Sequence, residues 1–352
     1  MRNVLLSVAA LLVALVTAEF ALRILDVARP VDLPPRPARP DVFVADPELG
    51  YRLWPSTRTC MRYPPNSHRL LQLISNSDGF ASSRELGEPD PRPRVLVLGD
   101  SFAFGTGVNE GVRFTEIVEE IEPRWRVDNL AMPGWGVDLM VRSLERYGPK
   151  ARPTVVVLAF YTDDFRRLDP LYAGVGFPFP KFALQDGRLV DVPFPTRTLL
   201  SRLRLIELVR AALAKRDPNF FALNEALVDR FQGLAKGLGA APVILFLPGR
   251  GDTEIDRERR SKLSHWAEAR GIPFRDLTKL IQDPGVNETY LPENWHWNER
   301  GHRIAGETLH SLLATTVLRD AGAAIDPRSL PTPPWRQRNW QYCSDEGATP
   351  GR

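Results

Sequence analysis

Short apolar segments alternate with helical patterns along most of this chain. Five segments are predicted as strands: 95–98, 127–130, 154–160, 243–247 and 272–274. All but 127–130, which is half polar, consist mainly of apolar residues. Five others place apolar residues at the spacing of a helix: 114–121, 138–147, 224–237, 255–270 and 303–318. Continuous apolar runs suit a parallel sheet that is covered on both faces. The alternation therefore predicts an α/β fold, a three-layer α/β/α sandwich with a parallel, flavodoxin-like doubly wound sheet of about five strands.

The amino terminus carries a long apolar stretch with two interpretations. Residues 4–16 are almost wholly apolar and follow a basic residue, which suits a secretory signal that is cleaved at the small residues 16–18. Residues 4–25 are also long enough to span a bilayer as an uncleaved anchor, with Glu19 and Arg23 at its interface. We favour the anchor. In either case the rest of the chain is expected outside the cytoplasm. An anchored protein would hold it on the periplasmic or extracellular side of the inner membrane, whereas a cleaved signal would leave it secreted.

The signal or anchor segment is assigned to residues 1–27. The chain after it is expected to contain one core domain with appendages. Residues 28–92 are interpreted as a proline-rich spacer and a lead-in, 93–320 as the core domain, and 321–352 as a tail containing Pro, Trp and Arg. An insertion at 165–221 interrupts the core after its third strand. Insertions of this length are often functional, so it is predicted to form a lid or a pocket wall.

Two elements are expected inside the insertion. Asp186 and Gly187 stand between apolar residues, which predicts a β-hairpin. Residues 198–214 have the pattern of an amphipathic helix, and the arginines of that helix are interpreted as a solvated face.

Charge and cysteine content narrow the class of partner. The chain has 46 basic and 43 acidic residues, a net charge of +3, and its arginines are dispersed, so no nucleic-acid partner is expected. In an oxidising compartment Cys60 and Cys343 would form a disulfide, the alternative being two free thiols. His296 and His302 have no further ligand nearby in the sequence, so no metal site is predicted.

The strand predicted at 95–98 runs directly into Gly-Asp-Ser at 99–101 and a glycine-rich turn. This arrangement places Ser101 at the carboxyl end of a parallel strand, where ligands bind in open α/β sheets. A helix that begins near Phe102 would direct backbone N–H groups at developing negative charge.

A second group of candidate residues lies about two hundred residues later. Glu293 and His296 stand three residues apart, just before a segment with helical spacing. A serine hydroxyl needs a base to become nucleophilic, and the base needs an acidic neighbour that holds its tautomer. The two segments together predict a Ser-His-Glu triad.

Four blocks, in this order, resemble those of the SGNH, or GDSL-type, hydrolase and acyltransferase superfamily, and the resemblance covers roughly 93–318. The blocks are 99–101 (Gly-Asp-Ser), 129–134 (Asn-Leu-Ala-Met-Pro-Gly), 155–164 where the family has a strand and Gly-x-Asn-Asp, and 293–296 (Glu-Asn-Trp-His) where it has Asp-x-x-His. Residues 76–80 also resemble the lead-in of a bacterial, membrane-attached subgroup.

The resemblance implies a serine esterase that needs no cofactor. Ser101 would attack an ester carbonyl, His296 would take the hydroxyl proton, and Glu293 would orient the imidazole. The oxyanion hole would consist of the backbone N–H groups of Ser101 and Gly134 and the side chain at position 163. Asp163 stands there instead of the family's asparagine. An ionised carboxylate only accepts hydrogen bonds, whereas a protonated one donates.

The expected substrate is an ester, with acyl groups on envelope or exopolysaccharide sugars as one class. Trp135 and Trp295 lie beside the motifs and are candidates for contact with sugar rings or an acyl chain, the alternative being core packing. The same triad would serve a carbohydrate O-acyltransferase, with a sugar hydroxyl as acceptor instead of water. Asp163 also leaves open a catalytically silent polysaccharide-binding scaffold. The sequence identifies no protein partner.

Overall fold

A computed structural model of the chain describes residues 1–28, 37, 39–62, 69–196, 198, 200–214, 220–319, 321–336 and 343. The described strands are β1 (Phe43–Asp46), β2 (Gly50–Leu53), β3 (Arg58–Arg62), β4 (Leu70–Ile74), β5 (Arg94–Gly99), β6 (Arg126–Asn129), β7 (Val155–Tyr161), β8 (Lys181–Gln185), β9 (Arg188–Val192), β10 (Ala241–Leu247) and β11 (Phe274–Asp276). The described α-helices are α1 (Arg2–Ile24), α2 (Ser101–Phe104), α3 (Phe114–Ile121), α4 (Val137–Ala151), α5 (Arg204–Ala214), α6 (Phe221–Gly237), α7 (Glu254–Ala269), α8 (Thr278–Gln282), α9 (Val286–Thr289) and α10 (Glu299–Thr316).

The central sheet confirms the predicted architecture. Within the described residues it has five strands in the order β11-β10-β7-β5-β6, and every neighbouring pair is parallel. This is the flavodoxin-like order, in which the chain reverses direction beside the first strand of the sheet. Helices α3 and α10 pack together as one layer, and α4, α6 and α7 pack as another. The carboxyl ends of all five strands meet at one edge, where the candidate site lies.

Strands β5 and β7 at the centre of the sheet form because their side chains are mostly apolar on both faces. All six residues of β5 are buried, as are the first six of β7. The last predicted strand begins later than expected, at Phe274 rather than at residue 272. Pro273 precedes it, and proline has no N–H to donate to a neighbouring strand, although its carbonyl accepts from the N–H of Ile244 at 2.9 Å.

The lead-in between α1 and the core packs on the core as two antiparallel hairpins, β1–β2 and β3–β4. Tyr51 of β2 is fully buried and donates a hydrogen bond to the Pro133 carbonyl at 2.5 Å. A disulfide joins Cys60 of β3 to Cys343, with Cα atoms 5.6 Å apart. Residues 29–36 and 38 of the proline-rich spacer, and residues 337–342 and 344–352 of the tail, lie outside the described residues.

The insertion contains the predicted hairpin. Strands β8 and β9 pair antiparallel around Asp186 and Gly187, and both turn residues have positive φ. The predicted amphipathic helix also forms, as a short 3-10 turn at Leu200–Arg202 followed by α5.

Candidate active site

Ser101 is the first residue of α2, directly after the carboxyl end of β5. Asp100 caps this short helix, because its Oδ1 accepts the N–H of Phe102 at 2.9 Å. Gly99 permits the tight strand-to-helix turn, since a Cβ there would lie 2.5 Å from the Cβ of Ala103. The turn presents the Ser101 hydroxyl at the edge of the sheet, although only 8% of the residue is exposed.

His296 meets Ser101 across 195 positions of sequence, with 2.8 Å between Nε2 and the serine Oγ. The loop that carries His296 is closed by a bridge between Tyr290 and Trp297 and by a bond from the N–H of Leu291 to the His296 carbonyl. The ring of Phe102 lies 5.0 Å from the imidazole, centroid to centroid. The structure therefore brings the predicted nucleophile and base into direct contact.

Asn294, rather than Glu293, is the partner of the other imidazole nitrogen. Its Oδ1 lies 3.0 Å from His296 Nδ1 and also accepts the His296 backbone N–H at 2.9 Å. Because a backbone N–H only donates, this second bond identifies the atom as the amide oxygen. Nδ1 must then carry the proton, so that Nε2 is free to accept from Ser101.

The structure thus differs from the predicted role of Glu293. No hydrogen bond joins Glu293 to His296, and its buried Oε2 has no partner within the described part of the chain. The reason is local, since an Asn side chain readily accepts from the N–H two residues ahead of it, which forms an Asx turn. The Asn-x-His spacing at 294–296 was the signal in the sequence that could have identified this residue.

A largely buried arginine, which no sequence motif indicates, lies beside Asp100, the neighbour of Ser101. Arg167 donates to Asp100 Oδ2 at 2.8 Å, to Asp164 Oδ1 at 2.5 Å and to the Trp135 carbonyl at 2.8 Å. Burial raises the pKa of Asp164 well above its ordinary value, despite the guanidinium. Burial, together with the positive charge of Arg167, lowers the pKa of His296 to about 3. The imidazole is therefore neutral, and able to act as a base, at all but strongly acidic pH.

The loop after β6 packs against the end of β5, since the N–H of Met132 donates to the Gly99 carbonyl at 3.1 Å. Neither the N–H of Ser101 nor that of Gly134 has an acceptor among the described residues. Gly134 adopts φ +82°, and its carbonyl accepts from the Tyr172 hydroxyl at 2.7 Å. A Cβ at this position would lie 2.9 Å from the hydroxyl of Tyr51. Both tyrosines, which come from the lead-in and the insertion, hold this loop, and their role was not apparent from the sequence.

Asp163 lies at the carboxyl end of β7, in the short 3-10 helix Thr162–Leu168. Its carboxylate is paired with Arg259 of α7, at 3.0 Å, and with Arg166, also at 3.0 Å. Both of its oxygens are engaged by these guanidinium groups. The expectation that position 163 points at the oxyanion has no support in these contacts.

The two candidate tryptophans have opposite environments. Trp135 is fully buried and packs edge-to-face on Phe80 at 6.3 Å, so the interpretation as a substrate contact is replaced by core packing. Trp295 is 70% exposed and directly precedes the base, where a bound molecule can reach it. His302 is buried, and its Nδ1 accepts the N–H of Phe114 at 3.3 Å, which is a structural contact.

Comparison with known families identifies the class of protein that this site belongs to. Residues 97–304 match the model of the GDSL-like lipase/acylhydrolase family. The match spans more than half of the chain and includes Ser101 and His296, so the chain belongs to this family of hydrolases. The superfamily predicted from the sequence is confirmed.

Solved structures with a similar fold come from several bacteria. A putative lipolytic G-D-S-L protein from Desulfitobacterium hafniense is 15% identical, with 63% of this chain and 100% of that chain covered and a TM-score of 0.41. Esterase EstA from Pseudoalteromonas sp. is 13% identical, with 63% and 96% covered and a TM-score of 0.41. The lipase/acylhydrolase from Enterococcus faecalis is 15% identical, with 68% and 100% covered and a TM-score of 0.40. These similarities are too low to carry an argument of their own. A comparison with curated proteins finds no match.

Proposed function

We propose that this protein is a serine ester hydrolase with Ser101 as nucleophile and His296 as general base. The observation that carries the proposal is the 2.8 Å contact between Ser101 Oγ and His296 Nε2, in a histidine whose other nitrogen is held by Asn294. A serine and histidine in this geometry are what acyl transfer requires. The proposed triad is Ser101, His296 and Asn294, in place of the Ser-His-Glu set expected from the sequence.

In the first half of the reaction, Ser101 Oγ bonds to the carbonyl carbon as His296 Nε2 takes the hydroxyl proton. The backbone N–H groups of Ser101 and Gly134 donate to the developing oxyanion. The bond from carbonyl carbon to alkoxy oxygen then breaks, and the alcohol leaves with the proton from Nε2. In the second half, water attacks the acyl-serine with His296 again as base, which releases a carboxylic acid and restores Ser101.

Asn294 gives this site a weaker orienting group than a carboxylate. A neutral amide holds the tautomer of His296 but adds no negative charge to stabilise the imidazolium that forms during the reaction. Burial and the positive charge of Arg167 further disfavour that cation, and together they lower the pKa of His296. We infer that the site favours substrates whose leaving group departs readily. Acyl esters of alcohols and sugars meet this condition better than amides do.

Acyl groups on envelope or exopolysaccharide sugars are the substrate class that we propose. The support is Trp295, which is 70% exposed beside the base, where its ring is available to stack on a sugar. With a sugar hydroxyl in place of water the same residues would perform O-acyl transfer. Acetylated oligosaccharides incubated with the enzyme, with and without an acceptor sugar, distinguish the two reactions by whether free acetate or a new ester appears.

We also propose that α1 anchors the enzyme in the membrane with the core outside the cytoplasm. Among the described helices, α1 alone is long and apolar enough to cross a bilayer, with a mean hydropathy of 2.4, and none of its most apolar stretch is buried. The mass of the mature amino terminus tests this proposal. An intact helix supports the anchor, whereas a chain that starts at Glu19 would indicate a cleaved signal.

Covalent labelling tests the nucleophile. A fluorophosphonate probe should modify the wild-type protein and should not modify Ser101→Ala. Ser311→Ala, which removes an exposed hydroxyl from α10, is the matched control and should label like the wild type. Equal labelling of folded Ser101→Ala, or no labelling of folded wild type, would contradict the proposed mechanism and favour a silent binding protein.

A further inference from the structure

Helix α5 of the insertion has its apolar side turned outward. Ile206 is 45% exposed, Leu208 44% and Val209 55%, and Leu200 of the preceding 3-10 turn is 63% exposed. At 100° per residue the three helical positions fall within an arc of about 160°. A helix on a water-exposed surface normally shows the opposite arrangement, with its apolar face toward the protein.

The charged side of α5 faces the protein instead. Arg210 pairs with Glu207 at 2.6 Å and with Asp169 at 3.4 Å, and Asp169 directly follows the 3-10 helix that carries Arg167. Arg204 pairs with Asp26, just after α1, at 3.0 Å. The ion pairs to Asp26 and Asp169 thus join the charged side of α5 to the protein, whereas the apolar residues at 206, 208 and 209 stay about half exposed.

The amino terminus of α5 is joined to the end of α1. Both oxygens of the Glu19 carboxylate accept backbone N–H groups there, from Arg204 at 3.1 Å and from Leu205 at 3.0 Å. The Arg204 guanidinium also donates to the carbonyls of Leu22 and Val27, each at 3.0 Å. An anionic side chain at a helix amino terminus is stabilised by the unpaired N–H groups and the helix dipole.

This junction places α5 at a defined height along α1. Glu19 lies five residues before the last residue of α1, Ile24, or about 7.5 Å along a helix that rises 1.5 Å per residue. Amphipathic helices in the interfacial region of a bilayer bury their apolar side by about 5–10 Å. With the end of α1 at the bilayer surface, as the proposed anchor requires, the start of α5 falls at the depth at which such helices lie.

We propose that α5 is a second membrane contact, an interfacial helix whose residues Leu200, Ile206, Leu208 and Val209 enter the lipid boundary beside α1. The proposal rests on the proposed anchor only for the position of the bilayer, and it does not depend on esterase activity. Through Arg210 and Asp169 the helix links the lipid surface to the catalytic edge of the sheet. The enzyme would then be held close to the membrane rather than carried freely on its spacer.

Lipid quenching of a fluorophore tests this contact in the full-length protein. Because Cys60 and Cys343 are joined, a cysteine introduced at position 206 or 209 provides a thiol for an environment-sensitive dye. The labelled proteins are reconstituted into vesicles of phosphatidylcholine and phosphatidylglycerol that contain nitroxide lipids. Ile121→Cys is the matched control, since Ile121 is also a partly exposed apolar residue (39%) but lies in the α3–α10 layer.

Quenching by lipids with a nitroxide just below the headgroup should be several-fold stronger at 206 and 209 than at 121, and aqueous iodide should quench only at 121. Iodide quenching at all three positions, without lipid quenching, would overturn the proposal. Protection of 206 and 209 from both quenchers would also overturn it and indicate a protein partner, such as a second copy of the chain. Fluorophosphonate labelling of each variant checks the catalytic proposal separately.

Discussion

Replacing Asn294 with alanine should slow ester hydrolysis by about 10- to 150-fold in kcat/KM. The change removes the bond from His296 Nδ1–H to Asn294 Oδ1, which is 3.0 Å long in the resting site. During the reaction this donor becomes part of an imidazolium, and hydrogen bonds to a charged group contribute about 1.5–3 kcal/mol. Each 1.36 kcal/mol corresponds to about a tenfold change in rate, which gives the stated range.

The same substitution has a cost in stability that must be measured alongside the rate. Asn294 Oδ1 also accepts the backbone N–H of His296, and an unpaired buried N–H costs about 1–3 kcal/mol. Urea unfolding of the variant gives this free energy directly. Rates are then compared for a nitrophenyl ester under conditions in which every variant is fully folded.

Glu293→Gln is the matched control, because it changes the neighbouring residue without touching His296. From the sequence alone this variant would lose much of its activity. From the structure we expect a change of less than about threefold, below 1 kcal/mol. A larger loss in Glu293→Gln than in Asn294→Ala would refute the assignment of Asn294 and restore the Ser-His-Glu triad.

The pH profile provides an independent test of the same residue. His296 acts as a base only when neutral, so kcat/KM should fall as pH decreases through its pKa, which burial and Arg167 lower to about 3. Asn294→Asp places a carboxylate beside Nδ1, and that charge favours the imidazolium. The acid limb should therefore move to higher pH in Asn294→Asp. An unchanged limb would show that position 294 does not contact the catalytic imidazole.

Three further substitutions separate catalytic from structural roles. His302→Ala should lower the unfolding temperature while the folded variant keeps its turnover, and a turnover loss as large as that of His296→Ala would contradict the structural role. Asp163→Asn should change turnover by less than about threefold relative to the wild type, because arginines engage both carboxylate oxygens. A rise of tenfold or more in the rate assay would show that position 163 faces the oxyanion. Lys181→Met should lower the free energy of unfolding, measured in urea, by about 3–5 kcal/mol, because the buried Asp138 loses its cation. An unchanged free energy of unfolding would mean that Asp138 is protonated in the native protein.

The alternation of strands and helices was readable from the sequence because the central core strands are buried on both faces. A strand such as β5 therefore appears as an uninterrupted apolar run, and the order of such runs predicts the sheet. Ser101 and His296 were predictable for a related reason. Each lies in a short segment whose residue types and order match the chemistry of acyl transfer, and the carboxyl edge of a parallel sheet is where such segments meet.

The tertiary structure alone decided which neighbours complete the site. Glu293 and Asn294 are adjacent in the chain, and only the closed turn determines that the amide oxygen faces Nδ1. Asp163 is paired with Arg259, which lies 96 positions later, on another helix. No local pattern encodes such a contact.

The same holds for the orientation of side chains relative to the protein surface. The amphipathic pattern of α5 was apparent in the sequence, but its usual interpretation places the arginines in solvent. Arg202 is exposed as that interpretation expects, but Arg204 pairs with Asp26 and Arg210 with Asp169, and the apolar side stays about half exposed. Periodicity specifies that two faces differ, whereas the neighbours brought by the fold determine which face is covered.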